Sequence, residues 1–220
     1  MIPIRDHERS GKTPVVTYLL LGVNVVVFVY MMTLGHSLED FVKQYGLIPA
    51  LITNGEAWPS FISSIFLHGG FGHLFGNMLF LHVFGDNLEA HLGRLRYLLF
   101  YLASGIAASL AHSMFNADSI IPTVGASGAI AGLMGAYLAL FPRARIDVLW
   151  TFGFYFQKAT VPASFMLLYW IVFQVIFGVG SLGIDGAGVA YFAHIGGFVF
   201  GYFLLKFLSR NRPKIVNVGF

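Results

Sequence analysis

Residues 124–140 read VGASGAIAGLMGAYLAL. A hydroxyl, Ser127, stands just inside an apolar run, and Gly125, Ala126, Gly128 and Gly132 keep side chains away from it on the neighbouring turns. Gly128 and Gly132 form a G-x-x-x-G pair, which lets another backbone come close and predicts a closely packed central helix. The other apolar run that opens on a residue of catalytic type is AYFAHIGGFVFG, residues 190–201, with His194 near its start. Gly197 lies three residues on, on the same helical face, and Gly201 continues the stripe. Two glycine stripes predict that these helices pack together and bring His194 to Ser127.

Composition places both helices in a membrane. The 220 residues are 57% hydrophobic and only 10% charged, with 23 Phe, against roughly 25% charged residues in a soluble domain. Apolar stretches run from one end to the other, so residues 1–220 read as one polytopic membrane domain. The absence of Cys excludes disulfides, thiol catalysis and Cys-ligated metals. The first apolar run follows a dozen mostly polar residues and has no good small-x-small cleavage site, so it reads as a retained span rather than a signal peptide.

Crossing about 30 Å of hydrocarbon takes about 20 helical residues. Run lengths predict an all-α chain of six transmembrane helices at about 15–34, 61–85, 96–114, 125–141, 162–179 and 188–208. The second is unusually rich in polar and small residues. VLWTFGFYF, residues 148–156, is too short to cross and is expected at the interface, where Trp and Tyr are at home. Of the 13 Lys and Arg, only Lys43 falls on one side of these spans; the other 12 share the opposite side with both termini. That is the positive-inside pattern with cytoplasmic termini. The formal charge of +3 comes from this bias, and no basic helix or aromatic platform points to nucleic acid.

This topology sets His68, Ser127 and His194 a few residues below the outer surface, Ser127 and His194 at matching depths of roughly 10 Å. Ser127 admits two readings: a small residue that permits packing or bonds back to the i−4 carbonyl, and a nucleophile. An ionisable residue inside a span is costly and faces the interior or a wet cavity, which leaves His194 as a satisfied structural histidine or as the base for Ser127. No carboxylate stands out as a third member, since Asp118 and Asp185 fall in outer loops and Asp86 and Glu89 at the inner end. Acyl transfer also needs donors for the developing oxyanion. His73 and Asn77, at i and i+4, share one face of the second span and supply them, with the Ser127 backbone N–H. Polar cross-linking of helices is the competing account for Asn77, and a histidine-lined metal or haem site the competing account for His68, His73 and His82. His7, His36, His91 and His112 are expected at loops or interfaces.

Taken together, FLHGGFGHLFGNMLFL (66–81), GASGAIAGLMGA (125–136) and AHIGG (193–197) followed by Gly201 resemble the rhomboid family of intramembrane serine proteases, over essentially the whole chain. The resemblance implies a six-helix bundle with a long outer loop between helices one and two, here GHSLEDFVKQYGLIPALITNGEAWPS, residues 35–60. It implies Ser127 as nucleophile, His194 as general base, His73 and Asn77 as oxyanion partners, and His68, Gly125, Gly128 and Gly197 in support. No cofactor or metal is implied. Expected partners are transmembrane protein substrates and the lipid bilayer, in a bacterial plasma (inner) membrane, with the site opening outward. In some bacterial relatives a Tyr one turn after the nucleophile stacks on the histidine, where this chain has Ala131; Trp58 is followed by Pro59 where many members have Trp-Arg; Glu89 and Gly93 match a feature expected to cap or brace the inner end. The alternative from another class is a non-catalytic rhomboid-like protein that binds transmembrane helices, and a histidine-lined transporter or channel comes third.

Overall fold

The computed structural model describes residues 1–8, 10–152, 155–182 and 188–210. In chain order the elements are β1 (Ile2–Asp6), α1 (Val15–Thr33), α2 (Leu38–Tyr45), α3 (Pro49–Thr53), α4 (Ser60–Ser63), α5 (Phe71–Leu92), α6 (Arg94–Phe115), α7 (Ser127–Leu140), β2 (Arg145–Phe152), β3 (Tyr155–Pro162), α8 (Ala163–Gly180) and α9 (Tyr191–Arg210). Four helices among the described residues, α1, α6, α8 and α9, are long and apolar enough to cross a membrane. α7 is apolar but has only 14 residues, about 21 Å. α5, at 22 residues or about 33 Å, carries His73, His82, His91, Asp86 and Glu89. Outward faces of α1 and α8 present Val26, Val29, Phe165, Val172 and Ile176 to the surroundings, as lipid-facing helices do.

α7 is the centre of the bundle, with every residue from Gly128 to Tyr137 buried. It packs on α9, α6, α5 and α8. Glycine makes this possible: a Cβ on Gly197 would strike the Gly128 carbonyl oxygen, one on Gly201 the Gly132 carbonyl oxygen, and one on Gly135 the Phe198 carbonyl oxygen. Helices α7 and α9 therefore touch backbone to backbone.

Two expectations need correction. The second long helix runs over Phe71–Leu92 rather than 61–85. Ser60–Ser63 and the 3-10 turn Ser64–Phe66 precede it, and Leu67 turns extended before Gly69-Gly70. The glycine pair breaks the apolar run that length alone joins, and puts His68 off the helix. The second concerns VLWTFGFYF: the chain is the polytopic helical bundle expected, and beside its helices this segment is part of a three-stranded antiparallel sheet of order β1-β2-β3. In β2, Ile146 and Val148 turn into the core, and β-branched and aromatic residues suit a pleated strand. β1 supplies the other edge, with a bulge between Pro3 and Arg5.

The sheet marks one end of the bundle and the start of α7 the other. Arg5, Lys12, Arg94, Arg96, Arg143, Arg145, Lys158 and Lys206 lie toward the sheet end, while Lys43 lies on α2 at the opposite end, 2.7 Å from Glu39. Arg9, Asp185, Arg212, Lys214 and the Arg210 side chain fall outside the described residues. Between α1 and α5 the long loop is built from α2–α4 around Leu47, Ile52 and Phe61. Leu47 and Thr123 exchange backbone bonds of 3.0 and 2.7 Å, tying this loop to the approach to α7.

Buried polar groups at the sheet end are paired. The Glu89 carboxylate accepts from the Val16 and Thr17 backbone N–H groups at 2.9 and 2.8 Å and from the Thr17 hydroxyl at 2.9 Å, capping α1 from α5. This is the brace expected of Glu89. Asp6 accepts from the Tyr137 hydroxyl and from Asn87 Nδ2 at 2.6 Å, fastening β1 to α7 and α5. Glu89→Gln puts an amide NH2 against donors, and should lower unfolding free energy in micelles by about 1–3 kcal/mol; an unchanged melting temperature would rule out the cap as a stabilising contact. The Thr160 hydroxyl, the His7 ring and Lys158 hold the Asp147 carboxyl well below the usual carboxylate range. A depressed folded value means that stabilisation is complete above the unfolded pKa near 4 and is lost as pH falls below it. The stability gap between wild type and Asp147→Asn should thus be constant from pH 7 to about 4 and shrink below; a gap unchanged at pH 3 would contradict this assignment.

Candidate active site

Ser127 is the first residue of α7, so its backbone N–H precedes the first intrahelical bond, Ile130 N–H to the Ala126 carbonyl at 3.0 Å. The loop before it is pinned by the Gly125 N–H to the Ser64 carbonyl at 2.9 Å. Gly125 has φ +128°, and a Cβ there would lie 2.7 Å from the His73 ring and 3.6 Å from Asn77 Nδ2. Glycine is required here twice, for the backbone angle and for the room that the imidazole takes.

His194 sits one turn into α9 and is 9% exposed. Its Nε2 lies 2.8 Å from Ser127 Oγ. The glycine seam sets this distance, since Gly128 and Gly197 bring the two helices together one residue past the serine and three past the histidine. On the other side of the ring, Nδ1 lies 2.7 Å from Gln174 Oε1 of α8. Trp170, one turn earlier on α8, stands over the imidazole with centroids 5.5 Å apart and planes tilted by 39°. The aromatic ring that Ala131 cannot offer thus comes from another helix.

His73 and Asn77 point from the first turns of α5 toward Gly125. Gly69 N–H approaches His73 Nδ1 at 3.4 Å, which makes that nitrogen the acceptor and leaves the proton on Nε2, facing the serine loop. Asn77 is 7% exposed, and its Nδ2 finds no acceptor among the described residues. Buried amide donors are nearly always satisfied, so an unpaired one in the cavity that Ser127 lines is a donor open to an acceptor. His68, 1% exposed, packs edge-on against His73 with centroids 5.2 Å apart, and so reaches the serine loop through that ring. His82 lies against Tyr18, away from these rings. Among the described residues no group of three His, Asp or Glu could hold a metal.

Ser127, His194, His73, Asn77 and Trp170 line a cavity of about 850 Å³ between α5 and α8. A second pocket of about 30 Å³ lies behind Ser127, beside Ser64, Ser109 and His112. Three contributors went unread in the sequence. His112, expected at an interface, faces both cavities, with Nε2 3.0 Å from the Thr123 hydroxyl. Of the other two, Gln174 and Trp170, only Gln174 carried a partial signal: it is the single amide in PASFMLLYWIVFQVIFGV, residues 162–179, and an isolated polar residue in a span points to the interior without saying what it meets there.

The Rhomboid domain family model matches residues 54–211. The chain is 34% identical over 199 residues to "Rhomboid protease GluP" of Bacillus subtilis (strain 168), covering 89% of this chain and 35% of that protein. It is 36% identical over 184 residues to "RHOMBOID-like protein 5" of Arabidopsis thaliana, covering 83% and 54%. It is also 30% identical over 207 residues to "Rhomboid protein 1, mitochondrial" of Saccharomyces cerevisiae (strain ATCC 204508 / S288c), covering 90% and 55%. The chain therefore spans from about a third to about half the length of these relatives. Gly125→Ala, which forces a side chain into both the positive-φ loop and the His73 ring, should cost about 1–3 kcal/mol in micellar unfolding. A variant as stable as wild type would show that the loop and ring relax freely.

Proposed function

The chain belongs to the rhomboid family, is an integral membrane protein, and, we propose, is an intramembrane serine endopeptidase acting on transmembrane segments of other membrane proteins through Ser127 and His194. The observation that carries this reading is the 2.8 Å contact between Ser127 Oγ and His194 Nε2 inside the bundle, within reach for direct proton transfer. A substrate helix enters laterally, partly unwinds and offers a carbonyl in the cavity between α5 and α8. Ser127 Oγ attacks the carbonyl carbon as His194 Nε2 takes the hydroxyl proton. Asn77 Nδ2, His73 Nε2–H and the Ser127 N–H donate to the oxyanion. Collapse breaks the C–N bond and His194 returns the proton to the leaving amine. Water then attacks the acyl-enzyme carbonyl as His194 takes its proton; collapse breaks the C–O bond to Ser127, whose oxygen takes that proton back from His194, and the product leaves as a carboxylic acid that ionises in water. Polar groups around His68 and His73 lead water inward, and the 30 Å³ pocket behind Ser127 has room for one molecule.

In this reading residues 1–220 act as one membrane domain, since β1 and α1, outside the family match, pack on α5. The helices α1, α5, α6, α7, α8 and α9 are its six spans. Basic residues at the sheet end support cytoplasmic termini and a site facing outward, as in a bacterial plasma membrane; relatives from a plant and from mitochondria leave the host membrane to experiment.

Covalent labelling of the solubilised protein by a fluorophosphonate tests the dyad. Wild type should label, Ser127→Ala should not, and His194→Ala should label at least about 100-fold more slowly. Folded wild type that fails to label, with the probe shown to enter the cavity, would favour a helix-binding protein without catalysis.

A further inference from the structure

We propose that Gln174 is the positioning residue for His194: its amide oxygen selects the histidine tautomer that can act on Ser127, and Trp170 holds the ring in that plane. The inference rests on reading His194 as the general base, and goes beyond it in naming a third side chain, from a third helix, that makes the histidine competent.

An imidazole between two polar groups has two neutral tautomers and two ring flips. Gln174 Oε1 can only accept, so at 2.7 Å it demands a proton on Nδ1. That proton leaves a lone pair on Nε2, aimed at Ser127 Oγ at 2.8 Å. With the amide placed as it is, the other tautomer sets two lone pairs against each other at Gln174 and presents an N–H to the serine, which then accepts instead of giving up its proton; an amide turned over would donate to Nδ1 instead, and Gln174→Glu, which has no such NH2, separates the two arrangements. With Gln174 replaced by an apolar residue, nothing described on α8 prefers the productive form. Trp170, at i−4 on the same face of α8, covers the ring and keeps it from swinging into the cavity.

A carboxylate would select the same tautomer and would also stabilise the imidazolium. It would bring a full charge to a site in hydrocarbon, where charges are costly. A neutral amide orients the ring without that cost. Inter-helix hydrogen bonds also hold helices together, so the test must separate orientation from packing.

The decisive comparison is wild type, Gln174→Met, which keeps length but removes the acceptor, and Gln174→Glu, which restores an acceptor oxygen, all in micelles with 15N-histidine labelling. The His194 ring nitrogens should report a proton on Nδ1 in wild type and a shift toward Nε2–H in Gln174→Met. The maximal fluorophosphonate labelling rate per folded molecule should fall about 10- to 100-fold in Gln174→Met, a part of the 10²–10⁴ that a positioned base supplies. Half-saturation should not change, and Gln174→Glu should recover most of the rate. An unchanged tautomer and maximal rate in Gln174→Met would overturn the proposal, as would a loss that tracks only the folded fraction. If wild type fails to label while the tautomer still depends on Gln174, the base reading falls and the positioning inference stands.

Discussion

Backbone contact between α7 and α9 is the constraint on which the site depends. Helix axes ordinarily stand 8–10 Å apart because side chains separate them. Here Gly197 meets the Gly128 carbonyl and Gly201 the Gly132 carbonyl with nothing between. In lipid such an approach is driven by packing rather than by expulsion of water, so its closeness is the source of its strength. Ser127 and His194 lie at the same end of this seam, and their 2.8 Å contact follows from it. Ala108 and Ser104 of α6 close on Gly128 and Gly132 in the same junction, so α6, α7 and α9 meet where a larger side chain would not fit.

The two ends of the bundle treat polarity in opposite ways. At the sheet end Glu89, Asp6 and Asp147 each collect two or more donors, as groups removed from water must. At the other end Asn77 Nδ2 has no acceptor among the described residues, and Ser127, the first residue of α7, lines the cavity. One end closes its polar groups with hydrogen bonds of its own, and the other leaves an amide donor unmatched beside an open cavity.

Much of this was legible in the sequence because small residues and isolated polar ones are conspicuous against an apolar background. Gly128, Gly132, Gly197 and Gly201 announced the seam, His73 and Asn77 announced a shared face by their spacing, and Glu89 announced a brace. Run length misled where it ignored backbone chemistry: it carried the second span through Gly69-Gly70, and so moved His68 onto a helix that begins at Phe71. The sheet was hidden in two ways: β2 and β3, neighbours in sequence that pair with each other, read by length and aromatic content as an interfacial segment, and β1 joins them from some 140 positions away, where no local pattern reports a partner. Gln174 was hidden differently. Its span carries no small-residue stripe and no motif, and only the three-dimensional arrangement shows that its amide reaches an imidazole on α9.

The brevity of α7 works as a ruler. Its 14 residues start at the Ser127 hydroxyl and end near the sheet, so the count of residues between those points sets how deep Ser127 lies. Each residue added or removed would shift that depth by about 1.5 Å and also turn the serine by about 100° around the helix axis. Depth and facing are thus locked to one another. Only a change of about a whole turn, about 5.4 Å, keeps the hydroxyl turned toward α9, so the level in the bilayer at which Ser127 can face His194 is quantised in steps of that size.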